Sequence, residues 1–211
     1  MKVLLLVSGA TKTVNRLIGH PNLGVLLSPG KGLNASPPRG VFWACDNGAF
    51  SGFDDVGFRD MLKKIQNRPG CRFVVCPDVV ADHEATLKLW HEWSGRIWEA
   101  GQLPAFVAQD GGSVESIPWG QGMGTVFIGG STEWKLGSEV ARIIHAARRK
   151  NVWVHMGRVN TMRRLMYAQT LGVDSVDGTQ FSRWSETYLP STLAFLSQLD
   201  RQRMIPLEAP W

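Results

Sequence analysis

The sequence has few cysteines and no long apolar run. Three cysteines occur among 211 residues, Cys45, Cys71 and Cys76, and no C-x-x-C pair is present. An odd number without paired spacing argues for reduced thiols, and the spacings match no structural zinc pattern. No stretch approaches the roughly 18 unbroken apolar residues of a membrane span. These absences argue against a disulfide scaffold, a zinc module and a membrane protein.

The sequence also predicts no secretion signal. The segment 1–8 resembles one superficially, but its apolar part is short and Gly9 follows without a cleavage site, so we interpret it as a buried first strand. A cytoplasmic protein is therefore expected.

The formal net charge is +5 and the pI is about 9.4. This moderately basic balance permits a polyanionic partner without demanding one.

Short apolar runs alternate with amphipathic segments along the chain. Because several runs are apolar on both faces, as buried parallel strands are, the alternation predicts a compact (β/α)8 TIM-type barrel, with one domain over residues 1–211. The runner-up, an open doubly wound sheet, lacks a G-x-G-x-x-G after its first strand. The predicted strands are 2–7, 24–27, 41–44, 72–76, 105–108, 125–128, 152–155 and 174–176, and the predicted helices are 58–66, 84–100, 139–150, 162–171 and 187–199.

Two connections differ from this pattern. Segment 29–40 is rich in proline and glycine and is predicted to be a loop. Segment 111–124 is rich in glycine, contains Pro118, and has room only for a short helix.

Polar residues and glycines follow six of the predicted strands, at the barrel face where active sites usually lie. Some have simpler interpretations: Asp82 suits a helix N-cap, and His155 suits a buried core histidine. The residues in question are Asp46, Asn47, Asp78, Asp82, Gln109, Asp110, Gly129, Gly130, Ser131, His155 and Asp177.

Carboxylates without a metal-ligand pattern favour acid–base or nucleophilic chemistry. Two carboxyl groups in one pocket would divide the work, one attacking and the other moving a proton, as in retaining glycosyl chemistry. The rival is a divalent metal site on His155, Asp46 and Asp78, although no H-E-x-x-H or similar spacing supports it.

The strand ends resemble those of the tRNA-guanine transglycosylases, barrel enzymes that exchange guanine for a 7-deazaguanine. Five segments agree with that family in order and in the strands they follow, over about residues 41–180. They are Asp-Asn-Gly-Ala-Phe at 46–50, Val-Ala-Gln-Asp-Gly at 107–111, Ile-Gly-Gly-Ser at 128–131, His-Met-Gly at 155–157 and Gly-Val-Asp-Ser-Val-Asp at 172–177.

The resemblance implies a role for each matched residue. Asp177 matches the nucleophile that bonds to the sugar C1′, and Asp46 matches the general acid/base. Either Asp78 or Asp82 matches the acid that binds the guanine edge, and the spacing leaves both open. The remaining matched positions, which would contact the base, are Gln109, Gly129, Gly130 and Met156.

The departures from the family indicate a particular branch. The family's zinc-ligand pattern is missing from the sequence, and no RNA-binding appendage is expected after the matched region. These losses fit the short phage and bacterial 7-deazaguanine DNA transglycosylases (DpdA type). A phage-encoded member would lie in the host cytoplasm. The implied partners are DNA, or alternatively tRNA, with guanine and a preQ0-like base. Arg158 and Arg183 follow strands seven and eight and would contact phosphates. This reaction requires neither a metal nor an organic cofactor.

Two alternatives stay open. One is a non-catalytic partner subunit, and whether the chain forms a homodimer is likewise undecided. The other is an unrelated barrel enzyme that acts on a sugar phosphate, which the backbone amides at Gly129 and Gly130 would hold.

Overall fold

The chain forms a closed barrel of eight parallel strands, which confirms the predicted fold. The computed structural model describes residues 2–9, 11–29 and 40–204. Each strand pairs with the next along the chain, and β8 returns to pair with β1. The strands are β1 Leu4–Val7, β2 Leu23–Leu27, β3 Trp43–Cys45, β4 Cys71–Val75, β5 Pro104–Ala108, β6 Thr125–Ile128, β7 Trp153–Met156 and β8 Ser175–Asp177.

Helices follow most of the strands and cover the outside of the barrel. All five predicted helices are present, with ends that differ by a few residues. Three further helices, α1, α4 and α7, have only four to six residues, too few for an apolar period to reveal. The helices are α1 Lys12–Leu17, α2 Asp55–Ile65, α3 His83–Glu99, α4 Thr132–Lys135, α5 Ser138–Arg149, α6 Met162–Thr170, α7 Thr179–Arg183 and α8 Ser185–Met204.

Several helices begin at a side-chain cap, which fixes where the chain turns after a strand. The capping oxygen accepts a hydrogen bond from a backbone N–H in the first turn, a contribution of about 1 kcal/mol in many helices. These caps are Thr11, Asp54, Asp82, Ser131 and Thr161.

The two irregular connections have different outcomes. The predicted loop 29–40 lies almost entirely outside the described residues. Segment 111–124 contains turns but no helix, in agreement with its glycine content. The prediction of one domain over residues 1–211 stays a prediction, because residues 205–211 also lie outside the described part.

The two-residue period of the strands divides the core into an inner and an outer layer. The inner layer is narrow: a Cβ added at Gly24 would lie 2.6 Å from the Leu6 side chain, so glycine permits the close approach. Residues of opposite parity pack between the strands and the helices. The inner cluster consists of Leu6, Leu26, Ala44, Phe73, Val75, Ala105 and Val107, with Leu4, Phe42, Phe127 and Trp153 against it.

This parity decides which strand-end side chains face the barrel axis. The positions that continue the inner layer toward the carboxyl ends are Asp46, Gln109, Gly157 and Asp177.

In the described part of the chain, no helix is both long and apolar enough to cross a membrane.

Candidate active site

A cavity of about 490 Å³ opens at the carboxyl ends of the strands. A volume of this order suits a small molecule. The loops that follow several strands contribute to its wall, and its floor is the top of the inner layer. Four carboxyl groups and one guanidinium lie among the described residues that line it: Asp46, Asp54, Asp78, Asp177 and Arg158.

Asp46 lies directly after β3 and two residues beyond the inward-facing Ala44. Its Oδ1 accepts a hydrogen bond from the backbone N–H of Asn47 at 2.9 Å. Burial first, and then the negative charges of Asp177 and Asp78, together raise the pKa of Asp46 to about 7 against the opposing backbone hydrogen bonds of Asn47 and Gly48. Near neutral pH, Asp46 therefore exists in both protonated and ionised forms, which suits a group that gives and takes a proton.

Asp177 ends β8 and receives a hydrogen bond on each carboxyl oxygen. The backbone N–H of Arg158 donates to Oδ1 at 3.0 Å, and Nε2 of His155 lies 3.1 Å from Oδ2. Arg158 adopts a left-handed backbone conformation, with φ of +58°, which is uncommon for a residue other than glycine. The strained turn after β7 thus directs a main-chain donor at Asp177.

Asp78 is held by two amide side chains. Nδ2 of Asn47 donates to its Oδ1 at 2.6 Å, and Nε2 of Gln109 donates to its Oδ2 at 2.5 Å. Burial raises the pKa of Asp78, while these hydrogen bonds and the charge of Arg158 oppose the increase. Gln109 is oriented in turn, because its Oε1 accepts from the N–H of Ala81 at 3.0 Å. The result is a rigid acceptor in the cavity wall.

Arg158 supplies the positive charge of the cavity. Its guanidinium donates to the carbonyl oxygen of Gly130 and lies 4.5 Å from the ring centroid of Phe50. Phe50 itself is exposed at the mouth of the cavity. One guanidinium between an aromatic ring and a carbonyl oxygen can still hold one anionic group of a ligand.

Lys135 holds the backbone of the turn that follows β7. It is buried, and its Nζ donates to the carbonyl oxygen of Gly157 at 2.9 Å. Burial first, and then the positive charge of Arg158, lower the pKa of Lys135 to about 8 against the opposing effect of Asp177. Sequence patterns did not single this lysine out, because it lies in the four-residue helix α4.

Seven of the ten predicted site residues line the cavity: Asp46, Asp78, Gln109, Gly129, Gly130, Arg158 and Asp177. The other three do not. Asp82 is the N-cap of α3, the simpler interpretation that the sequence left open. Met156 has outward parity and contacts a small separate cavity beside Lys135. Arg183 is exposed in the last turn of α7.

The two glycines of the loop after β6 serve close packing. A Cβ on Gly129 would lie 2.9 Å from Nε2 of Gln109, and one on Gly130 would lie 2.5 Å from Oδ2 of Asp110. The N–H groups of Gly129 and Ser131 already donate to Ala108 O and Asp110 Oδ2. This loop therefore has few amides left for a phosphate.

His155 is a buried core histidine, as the simpler interpretation had it, but its partners are side chains. Both ring nitrogens are engaged, by Ser175 and Asp177, and both oxygens of Asp78 are engaged by amides. Within residues 2–9, 11–29 and 40–204, no group of three histidine, cysteine or acidic side chains is arranged to hold a metal ion. The rival metal site on His155, Asp46 and Asp78 is thus not assembled.

Fold and cavity together define a (β/α)8-barrel protein with an acidic pocket at the carboxyl ends of its strands. Neither a protein-family model nor a curated protein matches the sequence. Among solved structures, the barrel is similar to the HpcH/HpaI aldolase from Desulfitobacterium hafniense DCB-2, with a TM-score of 0.50 and 12% identity over 92% of both chains. It is also similar to RipC from Yersinia pestis, with a TM-score of 0.52 and 11% identity over 93% of this chain and 94% of the other.

These comparisons correct the transglycosylase interpretation. Two barrels that match almost end to end are an aldolase and RipC, and no transglycosylase family model matches the chain. The assignment to the tRNA-guanine transglycosylases, the guanine exchange and the glycosyltransferase class are therefore wrong. The motifs misled because short Gly- and Asp-containing turns at strand ends are needed by barrels in general. The DNA or tRNA partner stays an untested prediction.

Proposed function

We propose that this protein is an acid–base enzyme of the lyase type, which cleaves a small hydroxylated carbonyl compound. The observation that carries the proposal is the pair of carboxyl groups, Asp46 and Asp177, which face one cavity from different environments. Where neighbouring titratable groups differ in this way, one is suited to donate a proton and the other to accept one.

Asp177 is the proposed proton acceptor. Its two N–H donors, from His155 and Arg158, are partners suited to a carboxylate and hold it in one orientation. Asp46 is the proposed donor, because its raised pKa keeps a substantial protonated fraction near neutral pH.

The proposed step is an aldol-type cleavage. Asp177 removes the proton of a substrate hydroxyl, the oxygen forms a carbonyl, and the adjacent carbon–carbon bond breaks. The electron pair of the broken bond passes to the neighbouring carbonyl of the substrate. The oxygen of that carbonyl takes the proton of Asp46, and this fragment of the substrate leaves as an enol. One proton is gained by Asp177 and one is lost by Asp46, so charge and atoms balance. Proton transfer from Asp177 to Asp46, through the released enol and water, then restores the pair. Each positioned proton transfer contributes about 10²–10⁴-fold in comparable enzymes.

The charges of the cavity restrict the substrate. Four carboxyl groups and one guanidinium line the cavity, so a polyanion would be repelled, whereas hydroxyl groups would find acceptors in Asp177 and in the remaining lone pairs of Asp78. Arg158 has the geometry for one carboxylate or similar anion. A hydroxylated compound with a single anionic group fits these conditions better than a sugar phosphate. The aldolase among the similar barrels makes carbon–carbon cleavage the first reaction to test.

The test is a panel of small hydroxy-oxo acids, hydroxy acids and uncharged polyols incubated with the purified protein. Carbonyl release is followed by a coupled assay and by proton NMR. We expect turnover of a monoanionic member, lost by at least about 100-fold in Asp46→Asn and in Asp177→Asn. Asp60→Asn is the matched control, because Asp60 is exposed on α2 beside Lys63. Turnover that survives both cavity variants would overturn the proposal, as would a protein that cleaves no member of the panel.

A further inference from the structure

Four inward-facing side chains of β7 and β8 form a hydrogen-bonded file through the barrel interior. Nε1 of Trp153 donates to Oγ of Ser175 at 2.9 Å, and Oγ of Ser175 lies 2.8 Å from Nδ1 of His155. Nε2 of His155 lies 3.1 Å from Oδ2 of Asp177. The file exists because His155 and Ser175 are register partners, so that Trp153 lies two residues below them and Asp177 two residues above.

Trp153, at one end of the file, restricts the direction of the hydrogen bonds that Ser175 and His155 make. An indole nitrogen can only donate, so Trp153 occupies a lone pair of Ser175 and leaves the serine hydroxyl proton free. Among the hydrogen bonds of the described residues, Nδ1 of His155 is the one partner left for this hydroxyl, so the buried serine proton has an acceptor only where Nδ1 is unprotonated. A neutral imidazole that accepts at Nδ1 carries its proton on Nε2, and that N–H faces Asp177.

We propose that Trp153 and Ser175 are positioning residues that hold His155 as the neutral Nε2–H tautomer, so that it donates a hydrogen bond to Asp177. The tautomer follows from the geometry of the file alone. Its catalytic consequence rests on the function proposed above, in which Asp177 accepts the substrate proton.

The surroundings of the file fit this assignment. His155 and Ser175 are completely buried. The rings of Phe127 and Phe73 cover the imidazole, with centroid distances of 4.6 and 5.3 Å. Besides Asp177, no charged side chain of the described residues is in hydrogen-bonding or ion-pair contact with His155. A low-dielectric shell of this kind strengthens the hydrogen bonds that the imidazole makes.

The far end of the file is also fixed. The Trp153 ring is stacked on Phe42, with centroids 5.4 Å apart, and the Arg72 guanidinium lies 4.5 Å from its centroid. The indole cannot turn without breaking both contacts. A Ser–His–Asp set usually suggests a nucleophilic serine, but Ser175 lies behind the imidazole and away from the cavity. Its buried hydroxyl is therefore assigned to orientation and not to attack.

Nitrogen NMR of the protein labelled with ¹⁵N-histidine tests the tautomer without any substrate. The shifts of a protonated and an unprotonated ring nitrogen are well separated, and the His155 signals are assigned by their loss in His155→Gln. We expect Nε2–H in the native protein between pH 6 and 8, with a slowly exchanging proton. In Ser175→Ala and, independently, in Trp153→Phe, the two tautomers should become mixed. Trp98→Phe is the matched control, because Trp98 is exposed on α3.

Finding Nδ1–H or a doubly protonated ring in the native protein overturns the assignment. An unchanged tautomer in both variants overturns the positioning role of Trp153 and Ser175. With an active substrate, each variant should lose about 10–100-fold in kcat with little change in KM, the range seen when an outer partner of a site residue is removed. A confirmed tautomer in a protein that cleaves nothing on the panel would retain this inference and reject the proposed function.

Discussion

Replacing Asp46 by asparagine should stabilise the folded protein at neutral and alkaline pH while it abolishes activity. Burial and the charge of Asp177 raise the pKa of Asp46 from 3.8 to about 7. Ionising this group in the folded protein therefore costs about 4 kcal/mol more than in the unfolded chain, at about 1.4 kcal/mol for each unit of pKa. Asparagine has nearly the same shape, its carbonyl oxygen can accept the N–H of Asn47, and it never has to ionise.

The sign follows from proton linkage. A carboxyl group whose pKa is higher in the folded state binds more protons when folded, so stability is greatest at acid pH and falls as pH rises from about 4 to about 7. Asp46→Asn does not lose stability in this way, because asparagine does not ionise. The stability of the variant relative to the native protein should thus increase by about 2–3 kcal/mol between pH 5 and pH 8.

Urea unfolding of both proteins at several pH values measures this difference directly. Using the difference between variant and native protein removes the contribution of all other titrating groups, provided that the urea dependence of the two is equal. Asp60→Asn serves as the exposed control. A difference that stays constant from pH 5 to pH 8 would refute the raised pKa, and with it the role of Asp46 as proton donor.

Three further outcomes are expected. Asp82→Ala should lower the free energy of unfolding by about 1 kcal/mol, because it removes the N-cap of α3, and should leave turnover of a substrate unchanged; a large loss of turnover would return Asp82 to the site. Between pH 8 and 10.5 the free energy of unfolding of the native protein should increase by up to about 3 kcal/mol, because the buried ammonium of Lys135 loses its proton. Lys135→Met should lack this increase, and equal pH profiles of the two proteins would contradict the lowered pKa. Gly157→Ala should destabilise by about 1–3 kcal/mol, because its Cβ would lie 2.7 Å from the Phe127 ring, and a neutral effect on thermal unfolding would show that the ring can move aside.

The similar barrels and the acidic pocket together explain why motif order was a poor guide to chemistry. Asp-x-Gly and Gly-Gly turns recur wherever a strand passes into a helix under tight packing, and here Gly129 and Gly130 make room for Gln109 and Asp110. The acids were found at the right end of the barrel, but their charges argue for a hydroxylated ligand with one anionic group. Residue types at strand ends locate a site more reliably than they identify its reaction.

Local sequence was sufficient for the barrel and for much of its pocket. Alternating apolar runs and helical periods predicted the eight strands of the barrel and five of the eight helices that the described residues form, because each pattern is a property of neighbouring residues. Asp46 and Asp177 were recognisable as pocket residues because each lies at the carboxyl end of a predicted strand. Counting parity from the outward-facing Val154 would also have placed Met156 on the outer face.

Only the tertiary structure could decide which distant side chains meet. Asn47 and Gln109 close on Asp78 from positions 31 residues away on either side, and Lys135 reaches the Gly157 carbonyl from a helix too short to be predicted. The file from Trp153 to Asp177 depends on the pairing of His155 with Ser175 across β7 and β8. That register is set by how the strands tilt and stagger when the barrel closes, and a one-residue change in it would separate every pair in the file.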